Sequence, residues 1–112
     1  PGKAILAALP ADELAAYLDR VTLKQFTPAT LARRDLLEAD LGRCRKRGYA
    51  LDVQEGLEGI HCAAAPVLDD YHYPVAAITV MAPAFRFKRD RFAAVGALCV
   101  EAARMIRERL NS

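Results

Sequence analysis

Between Gly48 and Pro83 the chain repeats a pattern that few architectures accept: short apolar stretches separated by turn-forming residues. Tyr49 to Gln54, Leu57 to Leu68 and Val75 to Met81 read as strands. Glu55-Gly56 separates the first two, and Asp69-Asp70-Tyr71-His72-Tyr73-Pro74 the last two. Connections this short favour antiparallel hairpins, so the three strands predict a meander. Gly59 offers a second place to turn or bulge, and Pro83 closes the third strand.

Helical patterns flank this block. Lys3 to Leu9 reads as a short helix ended by Pro10. Pro10-Ala11-Asp12-Glu13 opens a second, with Leu14, Tyr17 and Leu18 as its apolar stripe and acidic residues at its positive end. Val21 to Ala29 reads as a connection. Thr30 is the expected N-cap of a third helix that runs to about Arg47, with Leu37, Leu41 and Cys44 on one face. Gly48 then supplies the left-handed conformation that ends it. After a loop at residues 84–89, Asp90 is the expected cap of a last helix. Phe92, Val95, Cys99, Ala102, Ala103, Ile106 and Leu110 form its apolar face. The order α-α-α-β-β-β-α, with strands and helices grouped apart, predicts the α+β class.

The size of 112 residues suits one domain, and a hydrophobic share of 54% beside 27% charged residues suits a soluble globular one. No apolar run is long enough to span a bilayer, and the opening Pro1 to Leu6 is too brief for a signal peptide. A start on Pro-Gly-Lys reads as a fragment. Three widely spaced cysteines, Cys44, Cys62 and Cys99, argue against a disulfide framework and for a cytoplasmic setting. A net charge of +2, dispersed among acidic residues, is no footprint of a nucleic-acid binder.

Strand periodicity places alternate residues on one face. In the third strand Ala76, Ile78 and Val80 suit packing under the last helix, while Ala77, Thr79 and Met81 face the other way. If the register holds, Asp52, Cys62 and Thr79 share that second face. A carboxylate, a thiol and a hydroxyl among small alanines describe a polar-floored cavity for a small ligand.

The run Gly48-Tyr49-Ala50-Leu51-Asp52-Val53-Gln54-Glu55-Gly56-Leu57-Glu58-Gly59-Ile60-His61-Cys62-Ala63-Ala64-Ala65-Pro66-Val67 resembles the signature segment of the IclR family of bacterial transcriptional regulators. Val75 to Pro83 resembles the strand that follows it there. Gly2-Lys3-Ala4-Ile5-Leu6-Ala7 resembles the family's helix start, and Thr27 to Thr30 its threonine-containing loop.

The resemblance implies a GAF- or PAS-like sensor fold, with residues 1–112 as the C-terminal part of an effector-binding domain. It implies a homodimeric or homotetrameric regulator that touches DNA only through an N-terminal winged helix-turn-helix domain, absent from this chain. It places the ligand on the open face of the sheet. The family's pocket acid falls on Asp52 and its pocket cysteine on Cys62. Pocket positions that often carry hydroxyls fall on Thr79 and Met81, an apolar wall on Ile60, and the bordering backbone on Pro1 and Gly2. Met81 departs from the pattern and removes a hydroxyl, which favours a larger or less polar ligand than glyoxylate. Beside the Asp52 carboxylate a ligand hydroxyl fits better than a ligand carboxylate, so the expected effector is a hydroxy, keto or aromatic carboxylic acid. Its anionic end belongs at the Gly2 helix start.

Other readings of the same residues stay open. His61, Cys62, His72 and Asp69-Asp70 invite a metal, but their spacing matches no standard zinc pattern. A Cys62–His72 nucleophile and base pair lacks a group to orient the base. Phe85-Arg86-Phe87-Lys88-Arg89 reads as a nucleic-acid patch, a subunit contact or a loop before a helix. The expectation is a sensor without enzymatic activity or cofactor, and the alternative is a GAF-like assembly module without a ligand.

Overall fold

A computed structural model describes residues 2–21, 27, 28, 30, 31 and 33–110. Its elements are α1 (Gly2–Ala8), α2 (Ala11–Arg20), α3 (Arg34–Arg47), β1 (Ala50–Val53), β2 (Ile60–Leu68), β3 (Pro74–Pro83) and α4 (Phe92–Leu110). The strands form one antiparallel sheet in the order β1-β2-β3, the meander that the short connections predict.

Two apolar clusters lie on opposite faces of this sheet. On one, Ala4 and Ala7 of α1, Leu14 and Leu18 of α2, and Leu37, Leu41 and Cys44 of α3 close over Ala50 and Ala64. On the other, Phe92, Cys99 and Ala103 of α4 close over Ala63, Ala65 and Val67, with Phe87 beside them. Burial of these side chains is the main force holding the layers together. The α+β class and the element order therefore stand.

Several local expectations need correction. Helix α3 begins at Arg34, and Thr30 does not cap it. The Thr30 hydroxyl donates instead to the Glu55 carbonyl and accepts the Thr27 N–H. Tertiary partners thus outcompete the local cap. Tyr17 sits at the surface, leaving Leu14 and Leu18 as the buried stripe of α2. Asp90 lies inside a single 3-10 turn, Arg89–Arg91, and α4 starts only at Phe92. Leu110, expected on the apolar face of α4, is exposed.

Gly48 does adopt φ 90°, and its N–H donates to the Cys44 carbonyl at 2.8 Å. The β1–β2 link is longer than Glu55-Gly56. Gln54 and Gly59 take φ 60° and 80°, and the Ile60 N–H donates to the Leu57 carbonyl at 3.3 Å. These conformations break the ladder, so β2 starts at Ile60 and residues 54–59 form a loop.

Candidate functional site

The observed register puts Asp52 opposite Cys62 and Cys62 opposite Met81. In the next row Ala50 faces Ala64, and Ala64 faces Thr79. Ile60 pairs with Pro83. Directly opposed residues share a face, so Asp52, Ile60, Cys62, Thr79 and Met81 all stand on the face that α1 partly covers. The alternation in the sequence predicts this grouping correctly.

A cavity of about 220 Å³ lies between the first turn of α1 and strands β1 and β2. Gly2, Lys3, Asp52, Glu55 and Cys62 line it, with Ala64 leaving room at its floor. Of the residues singled out in the sequence, the structure gathers Gly2, Asp52 and Cys62 here. Thr79, Met81 and Ile60 share the face without lining this cavity, and Met81 is 66% exposed. Pro1 lies outside the described residues.

Asp52 has a local task as well. Its Oδ1 accepts the Glu55 N–H at 2.7 Å, which fixes the start of the 54–59 loop. Burial, then the neighbouring Asp52 charge, raises the Cys62 thiol above the ordinary thiol value. Cys62 is therefore a protonated hydrogen-bonding group at neutral pH rather than a nucleophilic thiolate.

The sequence reading misses the strongest polar cluster. Lys3 Nζ lies 2.6 Å from Asp40 Oδ2 and donates to Glu55 Oε1 at 2.9 Å. All three side chains are largely buried. Burial pulls the Lys3 pKa down, but hydrogen bonds and charge attraction from Asp40 and Glu55 outweigh it and leave the ammonium raised. Glu55, read as a turn residue, thereby ties α1 to the loop. Its carbonyl also receives the Thr30 hydroxyl, and the Thr27 hydroxyl donates to the Gln54 carbonyl at 2.5 Å. Two signals point to this cluster. A lysine at a helix start has the wrong sign for the helix dipole. Asp40 also interrupts the buried stripe of Leu37, Leu41 and Cys44.

The other candidate chemistries separate in space. His61 lies on the α4 face, its Nδ1 2.7 Å from the Phe87 carbonyl and its ring edge-on to Phe92. His72 lines a different cavity from Cys62, so the two do not form a nucleophile and base pair. Among the described residues no group of three His, Cys, Asp or Glu side chains is placed to hold a metal. Phe87 is core and Phe85 is exposed, which splits the aromatic-basic run. No helix of the described residues is long and apolar enough to cross a membrane.

The chain matches the family described as bacterial transcriptional regulator IclR C-terminal over residues 1–108. It is similar to the HTH-type transcriptional repressor AllR of Klebsiella pneumoniae, 41% identical over 105 residues, which covers 94% of this chain and 39% of AllR. The chain thus spans well under half the length of the curated relatives it matches. The crystal structure of the Thermotoga maritima IclR superposes with a TM-score of 0.93 at 37% identity, over 99% of this chain and 45% of that one. The PobR inducer binding domain from Acinetobacter, a double mutant solved with 3-hydroxybenzoic acid, superposes with a TM-score of 0.81 at 27% identity, over 95% of this chain and 61% of that one. With a matching sequence along nearly its whole length and a shared fold, the chain belongs to the IclR C-terminal family of bacterial transcriptional regulators.

Proposed function

We propose that this chain is the ligand-sensing part of a transcriptional regulator and that a small organic acid occupies the cavity beside Asp52 and Cys62. The observation that carries this reading is the convergence of Gly2, Asp52 and Cys62 on one cavity. A double mutant of the related PobR inducer binding domain forms a complex with 3-hydroxybenzoic acid, which supports a hydroxylated acid as the class of ligand.

The polar groups dictate an orientation. Asp52 repels a carboxylate placed beside it, whereas the Glu55 charge is already answered by the Lys3 ammonium. A ligand hydroxyl donates to the Asp52 carboxylate, and the Cys62 thiol donates to or accepts from the middle of the ligand. The ligand carboxylate turns toward the first-turn N–H groups of α1, which lack carbonyl partners within the helix. Ile60, Thr79 and Met81 border a larger ligand that extends along the same face.

In the whole regulator, a dimer or tetramer acting in the cytoplasm, the effector favours one subunit arrangement over another. A winged helix-turn-helix domain carries the result to DNA. The role is sensing, with no turnover of the ligand and no cofactor. Calorimetry of the intact regulator against a panel of hydroxy, keto and aromatic acids tests the site. Asp52→Asn keeps an acceptor for the Glu55 N–H and removes the charge, and it should weaken the cognate acid at least tenfold. Equal affinity in Asp52→Asn and Thr79→Val would remove the assignment.

A further inference from the structure

A second, larger space opens where β1 stops. The β1–β2 ladder ends at Ala50↔Ala64, yet β2 runs on to Leu68. In the notch beyond Ala50, residues of α1 and of α4 line one space from the two faces of the sheet. Small side chains at Ala7, Ala65 and Ala103 leave room in it, and a cavity of about 470 Å³ results. Small-ligand cavities commonly run from roughly 300 to 1,000 Å³.

Its chemistry differs from that of the Asp52 cavity. The wall is largely apolar, with Leu9, Leu68, Val100 and several alanines along it, and the charged side chains there are all guanidiniums: Arg45, Arg104 and Arg107. No Asp or Glu lines it among the described residues. Arg104 is already paired with Glu101 and Glu108. Arg45 and Arg107 have no acidic partner among the described residues.

We infer that this notch is a second ligand site, independent of the effector reading above, and that it takes a monocarboxylate with an apolar body. The body replaces water against the alanine and valine wall. The carboxylate meets Arg45 and Arg107, whose planar forks suit it better than an ammonium would. A neutral apolar molecule leaves both cations unanswered, and a fully hydrophilic acid gains nothing from the wall.

Octanoate is the probe, titrated into the full chain by calorimetry, with 1-octanol as the uncharged control. Saturable one-to-one binding is expected, with Kd about 0.5 mM or tighter for a ligand of this size. The double variant Arg45→Gln/Arg107→Gln, checked for an unchanged thermal midpoint, should weaken octanoate at least tenfold. Octanol should bind at least tenfold more weakly than octanoate. Asp52→Asn should leave octanoate affinity within twofold, which separates this site from the first cavity. Four results overturn the inference: no saturable binding, as when another stretch of polypeptide fills the notch; equal affinity in the glutamine variant; octanol matching octanoate; or loss of octanoate binding in Asp52→Asn.

Discussion

Lys3 Nζ donates to both carboxylate oxygens of Glu55, at 2.9 and 3.0 Å, across 52 residues of sequence. With Asp40 on its other side, this one ammonium joins α1, α3 and the 54–59 loop around the small cavity. Lys3→Met would leave two largely buried carboxylates facing each other and should cost about 3 kcal/mol in urea unfolding. The pH dependence follows from the raised Lys3 pKa. Its contribution is full below the ordinary lysine value of 10.5 and is lost as pH rises through the higher folded value. The wild-type chain should therefore lose stability in that alkaline window more steeply than Lys3→Met. Parallel slopes would show that the ion triad contributes nothing.

Asp52 serves the loop and, under the proposed function, the ligand, and two substitutions separate the roles. Asp52→Ala removes the acceptor of the Glu55 N–H and should lose about 1 kcal/mol of stability. Asp52→Asn keeps an oxygen in place and should stay within about 0.5 kcal/mol of wild type. Chemical denaturation of both variants measures the difference.

Thiol labelling reads the electrostatics of the same cavity. Cys44 and Cys99 are buried and Cys62 is half-buried, so iodoacetamide should modify Cys62 first. Burial and then Asp52 hold the Cys62 thiol high, so its rate should still be climbing above pH 9. Asp52→Asn should shift that profile to lower pH. Mass spectrometry of the alkylated peptides follows all three sites. Faster labelling of Cys99 than of Cys62 would contradict the burial order.

Gly96 lies beneath the ring of Tyr49, where an added Cβ would stand 2.5 Å from the ring carbons. Gly96→Ala should therefore destabilise by about 2 kcal/mol despite the better helix propensity of alanine. Combining it with Tyr49→Leu should recover part of the loss, because the pair is coupled. Thermal unfolding of the single and double variants forms the cycle.

The sheet was legible because its signals are local. Alternation along β2 and β3 grouped Cys62, Thr79 and Met81 on one face, and the pairing observed is the one that keeps them there. Gly48 was legible for the same reason: only a left-handed residue ends α3 at that point. Thr30 misled because a threonine before a helical stretch carries the same local signature whether it caps or reaches a distant carbonyl. The Lys3, Asp40 and Glu55 cluster joins three separate segments, and no periodicity encodes such a contact. Its only traces were a lysine at a positive helix end and an acid on an apolar stripe. Thr79 and Met81 show the limit of face arguments: a shared face does not fix how far a cavity extends along it.

The place of β3 at the margin of the sheet has a consequence for handling the protein. Its ten residues carry no charge, and Val75, Val80 and Met81 are exposed along it. Among the described residues no strand pairs with its outer edge. An uncharged strand of this length is a template for self-association between molecules, through the same hydrogen bonds that would otherwise extend the sheet. Pro74 and Pro83 stand at its two ends and have no N–H to offer, which confines such pairing to the eight residues between them. The outer edge of β3 is thus the place where a further strand, from elsewhere in the polypeptide or from another copy, would extend this sheet, and a single lysine on that edge should weaken either pairing.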